Sequence, residues 1–117
     1  MRLEEIRYDG ARPIDGYGPG FFRVAGQVHQ GAALVTVTGV SRWGGYDDAA
    51  ALVALASEVD VIFVGTGAQI ARVPAALRAA VEAAGIGLEP MDTPAACRTY
   101  NVLVSEGRRI AAALLPV

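Results

Sequence analysis

The chain contains no lysine: all ten basic residues among its 117 are arginine. That excludes a Schiff-base lysine, a P-loop lysine and a lysine general base. One cysteine, Cys97, cannot close an intramolecular disulfide, and one histidine, His29, cannot supply the paired ligands of a structural zinc site. No disulfide framework, metal site or cofactor is expected, and a reducing compartment fits. Long apolar runs are missing as well. Val59 to Val64, interrupted by Asp60, falls far short of the roughly 20 residues needed to span a bilayer. The opening MRLEEIRYDG carries two early glutamates and no apolar stretch, so neither a secretory signal nor a transit peptide is read there, and a cytoplasmic location is expected. A net charge of -2 and a pI near 5.3 lack the basic footprint of nucleic-acid binding, although a local group of arginines can still hold a small anion.

What the chain does have is apolar substance. A hydrophobic fraction of 53% and a mean hydropathy of +0.37 put it well outside the disordered range. Its length suits one domain, so residues 1–117 are expected to share one core. Leu3 to Tyr8 has the pattern of an edge strand, and Pro13 to Gly20, with three glycines and two prolines, reads as a loop. Phe21 to Val24 and Gln27 to Gln30 read as a hairpin, and Ala33 to Val37 as a further strand. Thr38 to Tyr46 is expected to be a loop holding Trp43, followed by a helix from Asp47 to about Ser57. Thereafter strands and helices alternate: Val59 to Val64, a helix from Pro74 to Ala84, Ile86 to Met91, a helix from Pro94 to Ser105, and Arg109 to Leu115. The expected fold is α/β, three layers with a central mixed sheet flanked by helices and an additional β-hairpin.

Two loops attract attention as sites. Gly65, Thr66 and Gly67 follow a buried strand, where open sheets commonly bind ligands and glycines allow close backbone approach. They match neither GxGxxG nor a P-loop, and a plain tight turn is the alternative. The second stretch, Asp92 to Asn101 (DTPAACRTYN), holds a helix-start signal with Asp92 or Thr93 as N-cap and Pro94 in the first turn. Free N–H groups at such a start attract an anion, and Arg98 would reinforce it. On a helical projection Arg98, Asn101 and Ser105 form a polar stripe, Ala95, Ala96, Val102 and Leu103 the opposite side, and Cys97 the border. A thiol there, beside Arg98, would favour its thiolate. No general base accompanies it, so no catalytic residue is assigned, and a packing cysteine is the alternative. For Arg98 the alternative is an ion pair with Glu89 or Asp92; Tyr100 reads as a core or interface aromatic. Trp43 is either an exposed interface anchor or a cover for the core.

Taken together, IDGYGPGFFRVAGQVHQGAAL (Ile14 to Leu34), Trp43, VIFVGTG (Val61 to Gly67) and GIGLEPMDTPAACRTYNVLVSEGRRIAAALLPV (Gly85 to Val117) resemble the Mth938-like proteins, formerly a domain of unknown function. The resemblance covers nearly the whole chain. It implies a three-layer α/β fold, and no established enzyme activity; relatives include a mitochondrial assembly factor for respiratory complex I. The motif positions it carries over are Gly16, Tyr17 and Gly18, the Gly65–Gly67 loop, and Cys97, Arg98, Thr99, Tyr100 and Asn101. The function it favours is a non-enzymatic interaction or assembly protein with a protein partner, its surface including Trp43 and the edge near Arg98. The competing reading is a small-ligand or anion-binding protein, conceivably an enzyme, sited between Gly65–Gly67 and the helix start near Cys97 and Arg98.

Overall fold

A computed structural model describes residues 12–117. The strand expected over Leu3 to Tyr8 lies outside the described residues. Three short antiparallel strands come first: β1 (Ile14–Gly18), β2 (Phe21–Val24) and β3 (Gln27–Gln30), in that spatial order. Then follow β4 (Ala33–Thr36), β5 (Gly39–Arg42), α1 (Ala49–Val53), β6 (Val61–Gly65), α2 (Ala75–Ala83), β7 (Gly87–Met91), α3 (Thr93–Ser105) and β8 (Ile110–Leu114).

The larger sheet has the order β5-β4-β8-β6-β7. β8 runs antiparallel to β4 and parallel to β6, while β6 and β7 run parallel, so the sheet is mixed. β6 and β8, Val-Ile-Phe-Val-Gly and Ile-Ala-Ala-Ala-Leu, are continuous apolar runs because both of their faces are covered. Alternation along them sorts side chains between two cores. Phe63, Ala112 and Leu114 join Ala96, Cys97, Tyr100 and the small sheet's Phe22 and Val24 on one side. Ile62, Val64, Ala111 and Ala113 meet Leu52, Leu77, Val81 and Trp43 on the other. The alanines of β8 keep the sheet surface low where the helices cross it. α2 turns Leu77 and Val81 inward, its i, i+4 stripe, and Gly85 follows it at φ +83°.

Three expectations need correction. Ile14–Gly18 is a strand, not loop: only Gly20 in this segment needs a positive φ, +80°, and a register shift between Ile14 and Gly16 absorbs the irregular sequence. The expected hairpin of Phe21–Val24 with Gln27–Gln30 is present, and β1 extends it to a three-stranded sheet. Thr38 to Tyr46 is not one loop, since Val37 and Thr38 turn the chain and Gly39–Arg42 pairs back on β4. The first helix is shorter than expected. It is capped by Asp48, whose Oδ1 accepts from the Ala51 N–H, and it unwinds into turns after Val53. No helix among the described residues is long and apolar enough to cross a membrane.

Candidate functional site

Parallel pairing of β6 with β7, in a register that sets Gly65 opposite Met91, brings the two loops singled out above to one edge of the sheet. What they do there is bind each other. The Thr66 N–H donates to the Met91 carbonyl at 2.9 Å, and the Thr93 N–H to the Gly67 carbonyl at 2.8 Å. In return the Gly67 N–H donates to Thr93 Oγ1 at 2.8 Å, and that hydroxyl donates to the Leu115 carbonyl at 2.7 Å. The Leu115 N–H closes the circuit on the Gly65 carbonyl at 2.9 Å. Thr93 is completely buried. One hydroxyl thus ties the ends of β6 and β8 to the first residue of α3.

This arrangement leaves the helix start, where an anion site was expected, without a free donor. Ala95 N–H is held by Asp92 Oδ1 at 2.8 Å, Ala96 N–H by the Asp92 carbonyl at 2.9 Å, Thr93 N–H by Gly67, and Pro94 has no N–H. The donors that would solvate an anion are engaged within the protein. Thr66 Oγ1 is likewise occupied: it donates to the Gln69 carbonyl at 2.7 Å and accepts from the Ala71 N–H at 3.0 Å, which folds residues 66–71 into a fixed turn.

Cys97 lies inside, 4% exposed, under α3. Burial pushes its thiol up to about 12, overriding the opposing pull of Arg98. This environment disfavours the expected thiolate, and Cys97 is buried rather than at the border of the helix. Alkylation of native Cys97 by iodoacetamide is expected to stay slow to beyond pH 9; labelling that climbs around pH 8 without loss of structure would contradict this. The sign for stability follows. With its folded value raised, Cys97 contributes fully below the unfolded thiol's value near 8.5, and that contribution is lost as pH rises from there toward about 12.

Tyr100 is a core aromatic, fully buried against the same cluster. Among the described residues its buried hydroxyl has no hydrogen-bond partner, and burial raises its ionisation to about 12. Such an orphaned group costs on the order of 1–3 kcal/mol, which the ring's packing must outweigh. Asn101 also turns inward: Oδ1 accepts from the Ile14 N–H at 2.8 Å and Nδ2 donates to the Ile14 carbonyl at 2.9 Å. It fastens β1 to α3 and does not belong to an outward polar stripe with Arg98. Trp43, 2% exposed, is a core residue rather than a surface anchor. Its Nε1–H donates to the Asp48 carbonyl at 3.2 Å, and its ring meets Tyr46 edge to face at 6.2 Å between centroids. Among the described residues no three His, Cys, Asp or Glu side chains are grouped to hold a metal ion.

Of the predicted site residues, Arg98 and Thr99 remain at the surface. They line a shallow depression of about 280 Å³ on the outer side of α3 with Val102 and Leu103. Val102, assigned to the buried side from the sequence, is 56% exposed. The signal was present in the spacing, since Val102 stands four residues after the exposed Arg98 and so shares its face. The buried positions Thr93, Ala96, Cys97, Tyr100 and Val104 define the opposite face.

Two sheets and three α-helices in this order make the chain a mixed-sheet α/β domain. The chain belongs to the Mth938-like family: residues 14–115 match the model for a protein of unknown function, DUF498/DUF598. An uncharacterised protein of Rhodobacter capsulatus is 54% identical over 117 residues, covering 100% of this chain and 94% of that one. NADH dehydrogenase [ubiquinone] 1 alpha subcomplex assembly factor 3 of Danio rerio is 34% identical over 110 residues, 88% of this chain. The chain spans only 63% of that relative's length. The solution structure of a Bordetella pertussis protein, a Mth938-like domain, superposes with a TM-score of 0.78 at 28% identity, covering 99% of this chain and 92% of that one.

Proposed function

We propose that this chain is a non-enzymatic interaction protein that assists assembly of a respiratory complex, engaging its client through the outer face of α3. The observation that carries the reading is the depression at Arg98, Thr99, Val102 and Leu103, where a largely apolar surface with a half-exposed valine is rimmed by one cation. Exposed apolar surface beside an arginine is the usual composition of an interface centre. The relative named as an assembly factor supplies the kind of partner. Thr66, Gly67 and Thr93 turn their polar groups to internal bonds and Cys97 is buried, which leaves the α3 face as the surface this reading uses. Trp43 drops out of the surface because it is buried.

Affinity purification of the tagged chain from its own organism tests this. Wild type should recover subunits of a respiratory NADH dehydrogenase, and Val102→Glu, folded to the same melting temperature, should lose them. Equal recovery by the variant removes α3 from the role; recovery of no such subunit by wild type removes the assembly reading itself.

A further inference from the structure

On the other side of the central sheet, the turn between β6 and α2 presents Ile70 to solvent at 66% exposure, the largest value among the exposed large hydrophobics. A side chain on a loose loop at that exposure would be unremarkable. This turn is fixed on both sides of Ile70: the Gln69 carbonyl accepts from Thr66 Oγ1 at 2.7 Å, and the Ala71 N–H donates to the same oxygen at 3.0 Å. Ile70 is held out, so little ordering entropy remains to be lost when something covers it. Beside it runs an open groove of about 510 Å³, floored by Val73 and Pro90 and bordered by Arg72 and Arg78.

Two arginines border the groove, one of them in an open ion pair. Arg72 is exposed, and Arg78 pairs with Glu82 at 3.1 Å, with both side chains near half exposure. A pair that open is worth little and is readily shared with an incoming carboxylate. The chain's net charge is -2, so a groove bordered by two arginines stands out against the rest of the molecule. Its backbone offers little for strand addition. β7 is an edge strand, but Pro90 has no N–H and the Leu88 carbonyl faces Arg78 Nη1 at 3.5 Å. Recognition therefore falls to side chains.

From these observations we infer that the Ile70 groove is a second docking site, which takes an acidic segment of a partner protein carrying one aliphatic or aromatic anchor. The anchor packs between Ile70 and Pro90 over Val73, and flanking carboxylates meet Arg72 and Arg78. The site lies on the α2 side of the sheet, is built from different residues than the α3 face, and does not depend on that reading.

Selection of phage-displayed random dodecapeptides on the immobilised full chain tests it. Enriched sequences should carry an apolar residue flanked by Asp or Glu. A synthetic peptide of that sequence, followed by fluorescence polarisation, should bind about tenfold or more weakly to Ile70→Asp and to Arg72→Glu, and more weakly as salt rises. Both substitutions lie at exposed positions and leave the core untouched. Val102→Glu should bind the peptide as wild type does, which separates this site from the α3 face. Failure to enrich any peptide, enrichment of basic peptides, binding unchanged in Arg72→Glu, or equal retention of a single-stranded RNA dodecamer overturns the inference.

Discussion

Thr93→Val should lower the melting temperature by roughly 10 °C or more, given about 4–8 °C per kcal/mol for a domain of about 100 residues. Valine keeps the shape of threonine and removes only the hydroxyl. That hydroxyl, fully buried, accepts from the Gly67 N–H and donates to the Leu115 carbonyl. Its loss leaves two groups that water cannot reach without opening the junction, at about 1–3 kcal/mol each. Neither can turn to another partner, because the surrounding backbone is fixed by the Thr93 to Gly67 and Leu115 to Gly65 bonds. Thr93→Ser, which retains the oxygen and gives up a methyl, should recover most of the difference. If Ser and Val variants melt together, the hydroxyl is not what holds this junction.

Gly65→Ala is the second large effect. Gly65 has ordinary extended backbone, so its requirement for glycine is one of space. A methyl there would sit 2.7 Å from Thr93 Oγ1, 3.0 Å from Thr93 Cα and 3.0 Å from Leu114 Cδ2. The end of a flexible side chain can yield, but Thr93 is the first residue of α3 and its backbone is hydrogen-bonded to the adjoining loop. The helix start must then move off the sheet, with a cost of roughly 1–3 kcal/mol for the overpacking and more where the Thr93 bonds stretch. Chemical denaturation of the two proteins measures this directly, and an unchanged midpoint would show that the junction has slack.

The architecture was legible where residue patterns are local. Val61 to Gly65 is a short β-branched apolar run ended by a glycine turn, and α2 repeats Leu77 and Val81 at i, i+4; length and composition settle the first and spacing the second. Parallel pairing of β6 and β7, and with it the meeting of the two loops, followed from the strand, helix, strand order. The N-terminal strands were less legible. Glycines in Ile14–Gly18 imply a loop, yet Gly16 and Gly18 are paired in the ladder with Arg23 and Phe21. The site was misread for a different reason. The chemistry of Asp92 to Asn101 was inferred from residues whose exposure the sequence does not set: Cys97 and Asn101 face the small sheet and core. Whether a helix's N–H groups are free depends on which loop lies against them. Here Asp92 itself and Gly67 take them.

The place of β8 in the larger sheet has a consequence for how the chain reaches its structure. β8 follows every other strand in sequence and lies between β4 and β6 in space. Until it arrives, the β4–β5 ribbon and the β6–β7 pair have no strand in common, and each presents an unpaired apolar edge. On a ribosome those edges are exposed for as long as synthesis of the intervening segment lasts, the interval in which nascent chains of this kind are open to mispairing or capture by chaperones. Ile-Ala-Ala-Ala-Leu, with small side chains that slide between two preformed halves, is suited to be the segment that closes them.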